Sequence, residues 1–252
     1  MLWLRLVHDI VPEADLFFHT GIISSGDFAS GILKLGYDYN CDLIVDDITH
    51  ITEPYFQDGI VADAVDSVYK KNIYYATSAG NFGNKSYESV SSPVTFTISN
   101  YSFLPNDNTL RAHNFGGGDI MQGLSLMPGR YLIKFEWDEP FATLKQATGA
   151  VTNFDIWVVA DNNQLLYSGN RNNIGEDPQE FMAFSVPGTT AYPVNILITG
   201  ANMPSGKRIK YTLFRTPAAG FAWNDQVAGI EAGTIVGQAN AVRSCISWRC
   251  II

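Results

Sequence analysis

At 252 residues, 46% hydrophobic and 16% charged, the chain can bury a core of one large domain or two moderate ones, and its composition is not that of a disordered segment. Its formal net charge is −9, and its 16 Lys and Arg form no basic stripe, which argues against a nucleic-acid partner. No apolar run reaches the length of a membrane span, so no membrane partner is expected either.

The chain opens on Met-Leu-Trp-Leu-Arg-Leu-Val-His-Asp, which lacks the charged flank, long apolar centre and small-residue cleavage site of a secretion signal. The compartment stays unassigned. Ala14–His19 reads as a short apolar strand. Ser25 can cap a helix with Phe28, Ile32 and Leu35 on one face, and Gly36 suits its end. Asp42–Asp46 is a second strand, Pro54 fits the first turn of a second helix, and Ile60, Val61, Ala64, Val65 and Val68 form that helix's buried face. Ile73–Thr77 is a third strand. Strand, helix, strand, helix, strand predicts a parallel α/β sheet over residues 1–85, with ligands gathering at the carboxyl ends of its strands.

Residues 86–216 change in texture. Short β-prone runs alternate apolar and polar positions between Gly, Pro and Asn breaks. They are 94–98, Arg130–Trp137, Phe154–Val159, Phe181–Val186, Val194–Thr199 and Ile209–Phe214. The pattern predicts an all-β sandwich or jelly roll inserted into the α/β domain. Residues 217–252 return to a small-residue style, ending in an atypical tail over 242–252.

The 3 cysteines, Cys41, Cys245 and Cys250, give no disulfide framework, and no His neighbours the last two, so no metal site is expected. Asp119, Asp138, Asp155, Asp161, Asn162, Asn163, Asn172 and Asn173 are oxygen-rich, but no stretch has the spacing of a calcium loop. Calcium is supported only to that extent, and no other cofactor is expected. Trp137, Phe141, Trp157 and Tyr167 could stack a sugar or a peptide, though aromatics at this spacing more often form sandwich core. His8 beside Asp9 suggests a base and its orienter, but adjacent residues point apart, which favours a structural role.

Residues 73–83 end a β-prone run in Ser78-Ala79-Gly80-Asn81, with Gly83 beyond. Small residues allow close backbone approach, and an Asn amide there can donate to an oxyanion. Together with Val7–Ala14, Leu43–Ile48, Glu53–Gly59 and Thr234–Ala241, this segment resembles the subtilisin-like serine peptidases. The resemblance implies a partial subtilisin-like α/β domain carrying an inserted sandwich, with Asn81 in the oxyanion hole. It also implies a cleft bordered by Asp46, Asp47, Ser78, Ala79 and Gly80, and a peptide or protein substrate. On the same resemblance the family's Asp and His would precede Met1, and its Ser would follow residue 241. The tail reads like an out-of-frame ending.

The expected function is therefore a serine endopeptidase fragment that keeps the oxyanion Asn, lacks the triad and does not hydrolyse peptides as it stands. The reading from another class is a non-catalytic protein- or glycan-binding module carried by the β-sandwich. A parallel sheet short of strands would expose its edges, which predicts aggregation or a homodimer unless a partner covers them.

Overall fold

The structure is a computed structural model that describes residues 2–144, 148–225, 227–240 and 246–248. The chain divides into two compact units. One comprises Met1–Glu53, Asp58–Gly80 and Val236–Ile252; the other comprises Pro54–Gln57 and Asn81–Ile235.

The first unit contains helices α1 (Leu2–Ile10), α2 (Ser25–Tyr37) and α3 (Ile60–Tyr69), and strands β1 (Leu43–Asp46), β2 (Tyr74–Ser78) and β14 (Ile246–Trp248). The Ser24 hydroxyl, one residue before the expected cap, accepts from the Asp27 amide at 3.1 Å and starts α2. Gly36 serves close packing: a Cβ there would stand 2.7 Å from Val68 Cγ1 of α3. Pro54 lies outside α3, which starts six residues later in the chain. No side chain of Gly59 can cap that helix, and the Glu53 carboxylate substitutes, accepting from Val61 N at 3.3 Å and Ala62 N at 3.4 Å. Phe28, Ile32, Val61, Val65 and Val68 close over Ile44, Ile73 and Tyr75.

The second unit is antiparallel. Its four-stranded sheet has the order β10-β7-β12-β3, from β3 (Ser86–Val90), β7 (Gly129–Trp137), β10 (Gln179–Val186) and β12 (Arg208–Arg215). Its seven-stranded sheet contains β4 (Pro93–Val94), β5 (Leu110–His113), β6 (Gln122–Leu126), β8 (Phe154–Val159), β9 (Leu165–Gly169), β11 (Tyr192–Ala201) and β13 (Phe221–Trp223). Alternation builds the core between the sheets. Ile133, Phe135 and Trp137, Met182, Phe184 and Val186, and Ile209, Tyr211 and Leu213 come from one sheet; Phe154, Ile156 and Val158 with Val194, Ile196 and Ile198 come from the other. Trp157, Val159 and Leu197 point the opposite way and pack under Tyr101 and Leu104. Trp137, Phe141 and Trp157 are buried, as core aromatics are.

The expected subtilisin-like parallel α/β fold is overturned: among the described residues most strands lie in the two antiparallel sheets, and the only strands paired in parallel are those of the three-stranded β1-β2-β14. The physical reason lies at Ala14–His19, which forms no strand. Leu16, Phe17 and Phe18 are an apolar run without alternation, exposed and without a ladder partner. Such a run carries no information about pairing. The run over 94–98 also shortens: only Pro93–Val94 pairs, and a 3-10 turn follows at Ile98–Asn100. The tail 242–245 and 249–252 lies outside the described residues.

Candidate functional site

Asp46 and Thr77 are register partners at the carboxyl ends of parallel strands β1 and β2. Both stand on the helix-covered face with Ile44 and Tyr75. The Asp46 carboxylate accepts from Thr77 Oγ1 at 2.7 Å, from Ile48 N at 2.9 Å, from Gln238 Nε2 at 3.3 Å and from the Tyr75 hydroxyl. The Gln238 amide also donates to Ile48 O. Burial pushes the Asp46 carboxyl above its ordinary range, and these donors pull it back, Tyr75 most. With its lone pairs engaged, Asp46 is an anchor for the strand ends rather than a free base.

The other expected site residues do not join it. Asp47 is exposed. Ser78 falls on the opposite face of β2 from Thr77, because side chains alternate along a strand. Ala79 is buried, and Gly80 takes a φ of 75°, where glycine is favoured. Asn81 is exposed and begins the antiparallel unit.

His50 lies near Asp46, its ring 5.0 Å from that of Phe28. Burial lowers its basicity, opposed by Gly21 and by Asp46. His113 accepts from Ser92 N on Nδ1 at 3.2 Å, so its neutral ring carries the proton on Nε2 and donates to Tyr87 Oη at 2.8 Å. His8 approaches Asp9 only to 3.9 Å, in solvent. Among the described residues no hydroxyl, imidazole and carboxylate stand in a hydrogen-bonded series, and no three His, Cys, Asp or Glu side chains group to hold a metal.

A cleft of about 550 Å³ opens at one edge of the seven-stranded sheet, lined by Pro93, Val94, Thr95, Arg111, Asn202 and Met203. Among the described residues strand β4 ends that sheet and pairs on one side only, through Pro93 with His113 and Val94 with Ala112 of β5. Proline suits an edge strand, having no N–H to give a second ladder. The turn after β11 forms the other wall: Asn202 takes a φ of 47° and donates its backbone N–H to Thr109 O at 3.0 Å. Met203 is buried beneath it. Arg111 is half-buried, and its Nη1 donates to Asn108 O at 2.9 Å and Leu110 O at 2.8 Å. No local motif announces Arg111 or Asn202; Pro93 before a β-prone run is the only sequence mark of this edge.

No family model matches the chain, and no curated protein matches it. Among solved structures it is similar to a Clostridium perfringens CspB protease, at 11% identity and a TM-score of 0.43 over 83% of this chain. The chain spans 44% of that protease chain. It is also similar to an arabinose-bound MgGH51 α-L-arabinofuranosidase, at 8% identity and a TM-score of 0.22, covering 54% of this chain and 27% of that one. A Paenibacillus sp. cycloisomaltooligosaccharide glucanotransferase gives 13% identity and a TM-score of 0.23, covering 68% and 24%. Likenesses this low carry no argument about fold or activity. With no family match and a mainly antiparallel chain, the subtilisin-like identification drawn from the Ser78–Asn81 segment and its companions is corrected: one weak structural neighbour is a protease, and nothing places this chain in that family.

Proposed function

We propose that the chain is a non-catalytic protein-binding module whose antiparallel unit takes an extended polypeptide segment beside β4. The observation that carries this reading is the open cleft against an edge strand that is paired on one side only. An extended segment laid along such an edge can form main-chain hydrogen bonds and place alternate side chains in the adjoining cleft. Pro93, Val94 and Met203 supply apolar wall, and Thr95, Asn202 and Arg111 supply polar groups, a mixture that suits a peptide. A cleft of about 550 Å³ accommodates a few residues of such a segment.

The absence of a nucleophile–base–orienter series among the described residues favours binding over acyl transfer. The test is an NMR titration of the isotope-labelled full chain with a short peptide of alternating Thr and Val carrying one central Asp. The amides of Val94, Thr95, Arg111 and Asn202 should shift as a group. Shifts confined to other residues, or none at millimolar peptide, would reject the reading.

A further inference from the structure

The cleft's charge says more about its occupant. Arg111 has five N–H donors, and the two on Nη1 are engaged by the carbonyls of Asn108 and Leu110. Those bonds fix the guanidinium plane without neutralising it. Among the described residues no carboxylate comes within ion-pair distance of Arg111, whereas Lys134, Arg171, Lys207, Arg208 and Lys210 each have one. Arg111 acts on the Asp107 carboxyl only behind the Thr109 donors, and that carboxylate already accepts from Thr109 N at 2.8 Å and Thr109 Oγ1 at 2.7 Å. In a chain of net charge −9, a half-buried, pre-oriented guanidinium in an open cleft, with no ion-paired carboxylate among the described residues, has the chemistry of an anion receptor.

We infer that the segment bound beside β4 is acidic, with a carboxylate seated on the remaining N–H groups of Arg111 and the neighbouring Asn202 side chain within the same cleft. An Asp or Glu side chain on an extended strand fits better than a phosphate. The cleft presents one guanidinium and the apolar Pro93, Val94 and Met203, not the cluster of cations a dianion requires. The geometry assigns Arg111 the role of specificity determinant, because it orients a fork of donors that matches a planar carboxylate. Lysine cannot reproduce that fork.

This inference rests on the reading that the cleft binds a polypeptide, and the experiment separates the two. Fluorescence anisotropy of the full chain is measured with the labelled Thr/Val peptide bearing a central Asp, and with the same peptide bearing Asn in its place. Each is titrated against the wild type, Arg111→Lys and Arg111→Gln. The inference expects the Asp peptide to bind roughly tenfold tighter than the Asn peptide. It expects Arg111→Gln to erase that difference and Arg111→Lys to restore only part of it. Added salt at about 0.5 M should weaken the Asp peptide more than the Asn peptide. Equal binding of both peptides to the wild type overturns the acidic preference and leaves the module standing. Binding of neither overturns both. If Arg111→Gln lowers the thermal midpoint, the wild-type comparison of the two peptides decides alone.

Discussion

Gln238 reaches across 192 residues of chain to donate its side-chain amide to Asp46 at 3.3 Å, and by that bond the Gly237–Asn240 turn of the first unit is tied to the end of β1. Asp46→Ala would remove the acceptor of the Thr77 hydroxyl and the Ile48 amide, and one bond each from the Tyr75 hydroxyl and the Gln238 amide, which keeps Ile48 O. The expected cost is about 3 kcal/mol, seen as a lower urea midpoint of the first unit. Asp46→Asn keeps one acceptor and should cost less. Equal stability of wild type and Asp46→Ala would show that the network contributes nothing.

The outer face of the four-stranded sheet buries an ion pair. Lys134 Nζ lies 2.8 Å from Glu136 Oε2, both fully buried, and Lys134 and Lys210 stand 4.3 and 4.5 Å from the Tyr55 ring. The pair itself need not stabilise the fold, but removing the Glu136 charge takes a buried counter-charge from Lys134. Glu136→Gln retains the acceptor for Tyr55 N, yet should destabilise by about 3 kcal/mol. Adding Lys134→Met should recover most of the loss, which a double-mutant cycle in denaturant would detect.

Two buried groups give opposite pH dependence. Burial pushes the Glu180 carboxyl up to about 7, against the pull of Arg171. A carboxyl raised on folding contributes stability that is complete below its unfolded value and lost as pH rises through about 7. Burial holds the His113 imidazole down at about 4, so its contribution is complete above the ordinary histidine value and lost as pH falls toward 4. Glu180→Gln should therefore flatten the decline in thermal midpoint between about pH 5 and pH 8. His113 should show the nitrogen shifts of a neutral ring at about pH 5.5. A protonated His113 at that pH would contradict its burial.

Gly229 and Gly188 separate crowding from backbone strain. Both have positive φ, 101° and 96°. A Cβ on Gly229 would meet Glu88 O at 2.4 Å, whereas one on Gly188 meets nothing within 4 Å. Gly188→Ala should cost about 1 kcal/mol and Gly229→Ala clearly more, since the latter displaces the strand that holds Glu88. Equal costs would mean that the backbone conformation alone matters at both.

The antiparallel half is legible in the sequence because its residues alternate. Ile133, Phe135 and Trp137, then Phe154, Ile156 and Val158, mark an inner face by their period of two alone, and β7, β8, β10, β11 and β12 coincide with those runs. The helices are legible in their buried faces but not in their starts. The cap of α2 falls on Ser24 rather than Ser25, and the carboxylate serving α3 comes from Glu53, outside the helix. The sheet pairing is not legible at Leu16, Phe17 and Phe18, which are apolar without a period, and hydrophobicity alone does not choose a partner strand. Asp46 stands out in the sequence only as a carboxylate at a strand end. Its surroundings depend on Tyr75, Thr77 and Gln238, and Gln238 is remote along the chain. The cleft leaves no such trace: Arg111 and Asn202 sit in no motif and meet only because β4, β5 and β11 are successive neighbours in one sheet, which puts the turn after β11 beside the start of β5.

The central claim is that an extended peptide lies beside β4. A Thr/Val peptide with a central Asp and a benzophenone at one end, irradiated with the full chain and mapped by mass spectrometry, tests it most directly. Cross-links should fall on residues 93–95 and 202–203, and an excess of unlabelled peptide should suppress them. Cross-links on the exposed apolar Leu16, Phe17, Phe18, Ile22 and Ile23 instead, or none that free peptide competes away, would contradict the account.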